Sequence, residues 1–207
     1  MKLLNLFSGT DSVAKLWREA GHEVIAVDLD GRYNPEYCED ILQWGYCKCE
    51  VPDVIWASVP CEQYSRARTT AKTPRNFKLA DSLAAKAWEI IQYFLKINPD
   101  LLFFIENPDT SILWAREVAS EFTPQVRLDY CQYSGPGYRK RTRIATNAVW
   151  APRALCDSKT CQQCVDGRHV LTAQRGPGKG KDPKMDRCSL DQLHGLPREL
   201  TEEIRQV

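Results

Sequence analysis

The chain has 207 residues, with 28 lysines and arginines against 27 aspartates and glutamates, so bulk charge selects no partner and any nucleic-acid surface must come from local clustering of basic side chains. That length holds one sizeable core and excludes a second full domain. The nine cysteines, an odd number, and the lack of any run of about 20 apolar residues to span a membrane or direct secretion, predict a reducing setting, cytoplasmic or, in a eukaryotic host, nuclear, with no membrane contact.

In chain order, Leu3-Leu4-Asn5-Leu6-Phe7 is an apolar run ended by Ser8-Gly9-Thr10-Asp11, after which Val13, Leu16 and Trp17 recur at helical spacing as far as Gly21. That reads as strand, tight turn and helix. A second strand, Glu23-Val24-Ile25-Ala26-Val27, finishes on Asp28-Leu29-Asp30, and a third, Val54-Ile55-Trp56-Ala57-Ser58, leads into Val59-Pro60-Cys61. Residues 79–95 follow as a helix with Leu83, Ala87, Ile90, Ile91 and Phe94 on one face, stopped by Asn98-Pro99-Asp100. Leu101-Leu102-Phe103-Phe104-Ile105 is a buried strand closing on Glu106-Asn107-Pro108; Val126-Arg127-Leu128-Asp129-Tyr130 and Arg143-Ile144-Ala145-Thr146 are later strands, separated by the turn Ser134-Gly135-Pro136-Gly137. The alternation predicts a Rossmann-like α/β fold, a mostly parallel sheet with helices on both faces. Beyond Trp150 the composition turns to Pro, Gly, Cys, Lys and Arg until a last helix-like stretch at 198–207. The sheet domain is therefore placed at residues 1–150 and a small Cys/Gly/Lys-rich segment at 151–207.

In such a sheet the carboxyl ends of parallel strands form the ligand crevice, so Phe7-Ser8-Gly9, Asp28, Cys61 and Glu106 are expected to converge there. Cys61, followed by the polar and basic stretch Glu62-Gln63-Tyr64-Ser65-Arg66-Ala67-Arg68, reads as a nucleophile at the sheet rim; the alternative is a core thiol. Gly9 allows close backbone approach, and Asp28 stands where an acid bonds a ribose hydroxyl. Without a full glycine-rich phosphate fingerprint, an adenosine ligand lacking a pyrophosphate is favoured.

Phe7-Ser8-Gly9, Asp28, Asp40-Ile41, Pro60-Cys61, Glu106-Asn107 and Arg141-Thr142-Arg143 occur in the order of the motifs of cytosine-C5 methyltransferases, and over about the first 147 residues the chain resembles that family. The resemblance implies S-adenosylmethionine as cofactor, with Phe7, Ser8, Gly9 and Pro60 lining its pocket, Asp28 on the ribose and Asp40-Ile41 beside the adenine. It implies DNA as substrate and Cys61 as the nucleophile that adds to C6 of a flipped-out cytosine, making C5 nucleophilic. Glu106 would donate a proton or hydrogen bond to N3 from a carboxyl pushed upward by burial, Asn107 would hold its loop, Arg143 would favour the thiolate and hold O2, and Arg141 would share its face. Against the family pattern, Glu62 replaces a Gln, Pro108 a Val and Arg139 a Gln, and no clear Gly-Asn element closes the cofactor pocket; residues 196–200 are a degenerate counterpart.

After Cys61, Ser65, Arg66, Arg68, Lys72 and Arg75 form a basic, hydroxyl-rich stretch that reads as a mobile phosphate-binding loop, with a solvated loop as the bland alternative. In the tail, Cys156-x4-Cys161-x2-Cys164-x4-His169 fits a tetrahedral zinc site, Cys188 being a spare ligand, against free thiols beside an unrelated histidine. The run from Arg175 through Lys181, Lys184 and Arg187 has the composition of a nucleic-acid contact. RNA would serve the same residue set, and a non-catalytic nucleic-acid-binding protein on this fold is the reading from a different class. The sequence is silent on oligomeric state.

Overall fold

The computed structural model describes residues 1–69, 71–133, 138–169, 171 and 190–207. Its centre is a seven-stranded sheet built from the apolar runs: β1 (Lys2–Leu6), β2 (Glu23–Asp28), β3 (Tyr37–Cys38), β4 (Val54–Ser58), β5 (Leu102–Pro108), β6 (Gln125–Asp129) and β7 (Arg141–Thr146), in the spatial order β3-β2-β1-β4-β5-β7-β6. Strands β3, β2, β1, β4 and β5 pair in parallel, while β7 inserts antiparallel between β5 and β6. Six strands thus end at one edge, and the strand order reverses between β1 and β4, the place where open α/β sheets bind ligands.

Alternate residues of each central strand face opposite sides, and both sides are covered. Leu4, Leu6, Ile55, Ala57, Phe103 and Ile105 pack with Ala84, Ala87, Ile90, Ile91 and Phe94 of helix α2 (Phe77–Ile97). On the other side Leu3, Val54, Trp56 and Phe104 meet Val13 and Trp17 of α1 (Ser12–Glu19). This two-sided burial is why the strands read as continuous apolar runs rather than alternating ones. Helix α2 begins where the Asn76 side chain accepts the Leu79 N–H at 3.0 Å, two residues ahead of the expected start, and its 21 residues run to Ile97.

Only β1→β2 and β4→β5 cross over through long helices; β2→β3→β4 and β5→β6 use the 3-10 turns Gly31–Tyr33, Tyr46–Lys48, Ile112–Ala115 and Glu117–Ala119. Further along lie the hairpin β8 (Cys164–Val165) and β9 (Arg168–His169) and the short helices α3 (Leu190–His194) and α4 (Arg198–Ile204). Strand β3 and the hairpin were not expected from apolar patterning, being two residues a strand. The hairpin's signal is Asp166-Gly167, both at positive φ (51° and 72°) as a two-residue turn demands. Leu200 and Ile204 of α4, together with Trp150, join the α1-side cluster, and Trp150 Nε1 donates to Glu203 at 2.9 Å. The helix-like end of the chain therefore completes the sheet's own core. The expected turn at 134–137, the basic run at 175–187 and Cys188 lie outside the described residues. Among the described residues no helix is long and apolar enough to cross a membrane.

Candidate active site and metal centre

At the end of β1 the chain turns through Phe7 at φ 56°, a left-handed conformation that costs a bulky residue on the order of 1–2 kcal/mol. The turn is held by the Ser8 N–H on the Val27 carbonyl at 3.2 Å and the Gly9 N–H on Asp28 Oδ2 at 2.8 Å. Gly9 sits at φ 49°, and a Cβ built there would meet only the Phe7 carbonyl oxygen, at 3.9 Å, so open space lies over its backbone. Asp28 Oδ1 accepts the Asp30 N–H at 2.8 Å; each carboxylate oxygen keeps a lone pair for a hydroxyl. The two strand ends therefore meet, as a cradle with one acidic wall.

Asp40 is exposed and its Oδ1 accepts the Leu42 N–H at 3.0 Å, capping a turn, while Ile41 is buried in the α2-side core. Both hold local structure here. The stretch expected as a degenerate closing element, residues 196–200, begins at this end of the crevice, and the residues just ahead of it join it there. The Leu196 N–H donates to Ser12 Oγ at 3.1 Å and the Tyr33 hydroxyl to Asp191 at 2.8 Å, which brings residues 191–196 to the ends of β1 and β2.

The second half of the crevice lies at the ends of β4 and β5. Register pairs Ser58 with Glu106 and Glu106 with Ile144. Asn107 Nδ2 donates to the Val59 carbonyl at 2.6 Å, tying β5 to the chain that enters Pro60-Cys61. Glu106 is 6% exposed; Tyr130, wholly buried, donates its hydroxyl to Glu106 Oε1 at 3.2 Å, and Lys140 Nζ stands 3.7 Å from the same oxygen and 4.8 Å over the Tyr130 ring. Cys61 is half-buried, and burial first, then the Glu106 carboxylate, push its thiol above the ordinary range, with Lys140 pulling it back. Cys61, Glu106 and Lys140 share one electrostatic neighbourhood.

The arginines differ from expectation. Arg141 and Arg143 do share a face, but β7 alternates, and Ile144 belongs to the α1-side cluster while Ala145 belongs to the other. Glu106, opposite Ile144, therefore shares its side with Thr142 and Lys140. Arg141 is spent on Asp129, with bonds of 3.0, 3.2 and 2.7 Å. Arg143 binds Asp109 at 2.9 and 2.7 Å and lies 5.2 Å over Trp114, beside a hollow lined by Gln125 and Arg127. The cation beside Glu106, and the one that lowers the Cys61 thiol, is Lys140.

The loop after Cys61 is also more committed than expected. Tyr64 is fully buried and donates to Asp81 at 2.9 Å, and Asp81 in turn pairs with Arg116. Arg68 bonds Gln63 Oε1 at 2.6 Å and Thr73 Oγ1 at 2.7 Å, and Arg75 bonds the Gln63 carbonyl at 2.6 Å. Ser65 Oγ accepts the Ala67 N–H at 3.2 Å. Arg66 and Lys72 are exposed. The loop is thus pinned at its base and laced by its own arginines. Tyr64→Phe removes a hydroxyl bond to a carboxylate and is expected to lower stability by about 1–2 kcal/mol, read as a lower urea midpoint at unchanged slope.

In the tail, Cys131, Cys156, Cys161 and His169 place their ligand atoms within 4.8 Å of one another. His169 Nε2 lies 3.4 Å from Cys156 Sγ and 3.5 Å from Cys161 Sγ; its Nδ1 lies 3.3 Å from Cys164 Sγ. Cys156, Cys161, Cys164 and His169 do come together, but the group that closes around one point takes Cys131 in place of Cys164. Cys131 sits just past β6 and belongs to no spaced motif with the others, so only the fold reveals it.

Comparison with known proteins found no matching family model. The chain is 36% identical over 203 residues, 87% of its length and 89% of the relative's, to a protein of Frog virus 3 (isolate Goorha) described as a probable DNA (cytosine-5)-methyltransferase. Among solved structures, a Spodoptera frugiperda DNMT2 mutant matches with a TM-score of 0.45 and 20% identity over 72% of this chain and 51% of that one. The S. pombe Dnmt2 methyltransferase matches with a TM-score of 0.45 and 15% identity over 82% and 58%.

Proposed function

The chain belongs to the cytosine-5 methyltransferase family, and from that premise we propose that it transfers a methyl group from S-adenosylmethionine to C5 of cytosine in DNA. The observation that carries the reading is the meeting, at the ends of β4 and β5, of a half-buried thiol, a buried carboxyl group and an ammonium: Cys61, Glu106 and Lys140. An aromatic C5 is a poor nucleophile until a group adds at C6, and a thiolate is the side chain best suited to add there and, as the C5 proton is lost to water, to leave again with the C6–S electron pair. Cys61 forms that bond; Glu106 holds N3, where charge gathers once the ring's conjugation is broken; Tyr130 holds Glu106.

The other end of the crevice suits the cofactor. Gly9 leaves its backbone open and Asp28 offers acceptors to ribose hydroxyls. When bound there, S-adenosylmethionine supplies an electrophilic methyl group. Phe7, Ser8 and Gly9 line its site, and the segment that Ser12 and Tyr33 tether, residues 191–196, shields it from water. Asp40 acts on that site through the turn it caps. A cytosine within a duplex cannot present C6 to Cys61, so the base leaves the stack, and Arg66 and Lys72, exposed on the loop beyond the nucleophile, meet its phosphates. In the tail, thiols and imidazole are zinc's preferred donors, and a zinc ion would brace a short, polar segment.

The test is transfer of labelled methyl from S-adenosylmethionine to double-stranded DNA and, in parallel, to structured RNA, with product nucleosides identified by mass. Expected is 5-methylcytosine in DNA. Label in RNA alone would reassign the substrate, and no label in either, with the cofactor bound, would leave a nucleic-acid-binding protein.

A further inference from the structure

We propose that this protein carries a structural zinc ion bound by Cys131, Cys156, Cys161 and His169 Nε2, with Cys164 as the partner that orients the histidine, and that the ion clamps the tail to the strand edge carrying Glu106's and Arg141's partners. The donor set is three thiols and an imidazole, a combination zinc takes in closed tetrahedral sites. Zinc–sulfur bonds of about 2.3 Å and a zinc–nitrogen bond of about 2.0 Å put tetrahedral N and S neighbours about 3.5 Å apart. His169 Nε2 stands 3.4 and 3.5 Å from two of the sulfurs. The remaining ring nitrogen, Nδ1, faces Cys164 Sγ at 3.3 Å, the position of the group that fixes tautomer and ring orientation at most metal-bound histidines.

Local structure serves the same point. The Cys164 N–H donates to the Cys161 carbonyl at 3.0 Å, and the Cys161 N–H to the Asp157 carbonyl at 2.9 Å; these turns aim both sulfurs inward. The β8–β9 hairpin returns the chain so that Cys164 pairs with His169. Gln132 Nε2 donates to the sulfurs of Cys131 and Cys161, at 3.7 and 3.8 Å, neutralising part of a thiolate cluster's charge. Binding converts each thiol to a thiolate and releases its proton.

Cys131 is what makes the site more than a brace for the tail. It follows Asp129 and Tyr130 directly. Asp129, wholly buried, holds Arg141 and also accepts the Cys156 N–H at 3.0 Å, while Tyr130 holds Glu106. Two ligands of the ion thus flank Asp129, one along the chain and one across a hydrogen bond. Removing the ion frees Cys131 and Cys156 from each other and lets the Asp129–Tyr130 corner loosen beside the reacting base. This bearing on methyl transfer rests on the function proposed above; the metal itself does not.

The experiment uses the full chain, purified under reducing conditions. Metal analysis is expected to find about one zinc per chain, and cobalt substitution to give the visible bands of a tetrahedral thiolate-rich site. In chelator competition Cys131→Ser loses well over a hundredfold (roughly) in zinc affinity, whereas Cys164→Ser, which keeps an acceptor for Nδ1, loses less than about tenfold. Hydrogen exchange of the native chain, stripped and then reloaded with zinc, rises and falls reversibly at residues 129–131 and 156, a readout that needs no variant to fold and no substrate. A zinc-free or iron-bound native chain, a disulfide among these cysteines, or zinc kept by Cys131→Ser and lost by Cys164→Ser, would each overturn the assignment. Absent methyl transfer with zinc bound as described would leave the metal site standing and count against the enzyme.

Discussion

Cys61→Ser is expected to lower kcat/KM for methyl transfer by at least about 10³-fold and to abolish the covalent adduct with DNA carrying 5-fluorocytosine, while S-adenosylmethionine binds as before. The hydroxyl that replaces the thiol is the weaker nucleophile. The backbone at this position is held from elsewhere, by Asn107 on the Val59 carbonyl and by the buried Tyr64, so the substitution leaves the loop in place. The cofactor cradle at Phe7-Ser8-Gly9 and Asp28 belongs to other strands. Single-turnover transfer and gel-resolved trapping measure the chemistry, and calorimetry measures the cofactor. Undiminished transfer by the serine variant would remove Cys61 from the reaction.

Lys140→Met is expected to slow transfer near neutral pH by about 10-fold or more and to move the rising limb of the pH–rate profile to higher pH. Burial and the Glu106 carboxylate raise the Cys61 thiol, and Lys140 opposes them. With the thiol raised, the neutral form dominates at pH 7, and a rate that needs thiolate climbs as pH rises. Taking away the ammonium raises the thiol further, so each unit of displacement costs about 10-fold on the low-pH side and nothing once both forms are ionised. Lys140→Arg, which keeps the charge, is expected to hold the limb near its native position. An unmoved limb in Lys140→Met would mean that Lys140 does not act through Cys61.

The apolar runs made most of this legible. β1, β2, β4 and β5 are buried on both sides, so their sequences are unbroken, and the residues that end them, Gly9, Asp28, Cys61 and Glu106, reach the sheet's carboxyl edge by topology alone. What escaped depends on contacts between segments. The side of β7 that faces Glu106 is set by one residue of phase, and the register puts Lys140 there rather than Arg141 or Arg143. Both arginines have buried or half-buried aspartate partners whose positions no local pattern announces. Cys131 joins the tail cysteines through the β6 corner, across a gap in sequence that spacing rules do not bridge. The self-lacing of the loop turns on Gln63, a residue with no motif of its own.

That lacing bears on how nucleic acid finds the crevice. At the sheet edge Arg141 is paired with Asp129 while Arg143 and Arg127 share Asp109, so all but one of these three charges cancel locally. Arg68 and Arg75 are held by amide, carbonyl and hydroxyl oxygens, so they are fixed in place yet keep their full charge. A chain whose net charge is only +1 therefore carries a concentrated positive field on the strap behind the nucleophile. On the function proposed above, encounter with a polyanion is expected to be steered to that strap, with a rate that falls as added salt shortens the reach of the field.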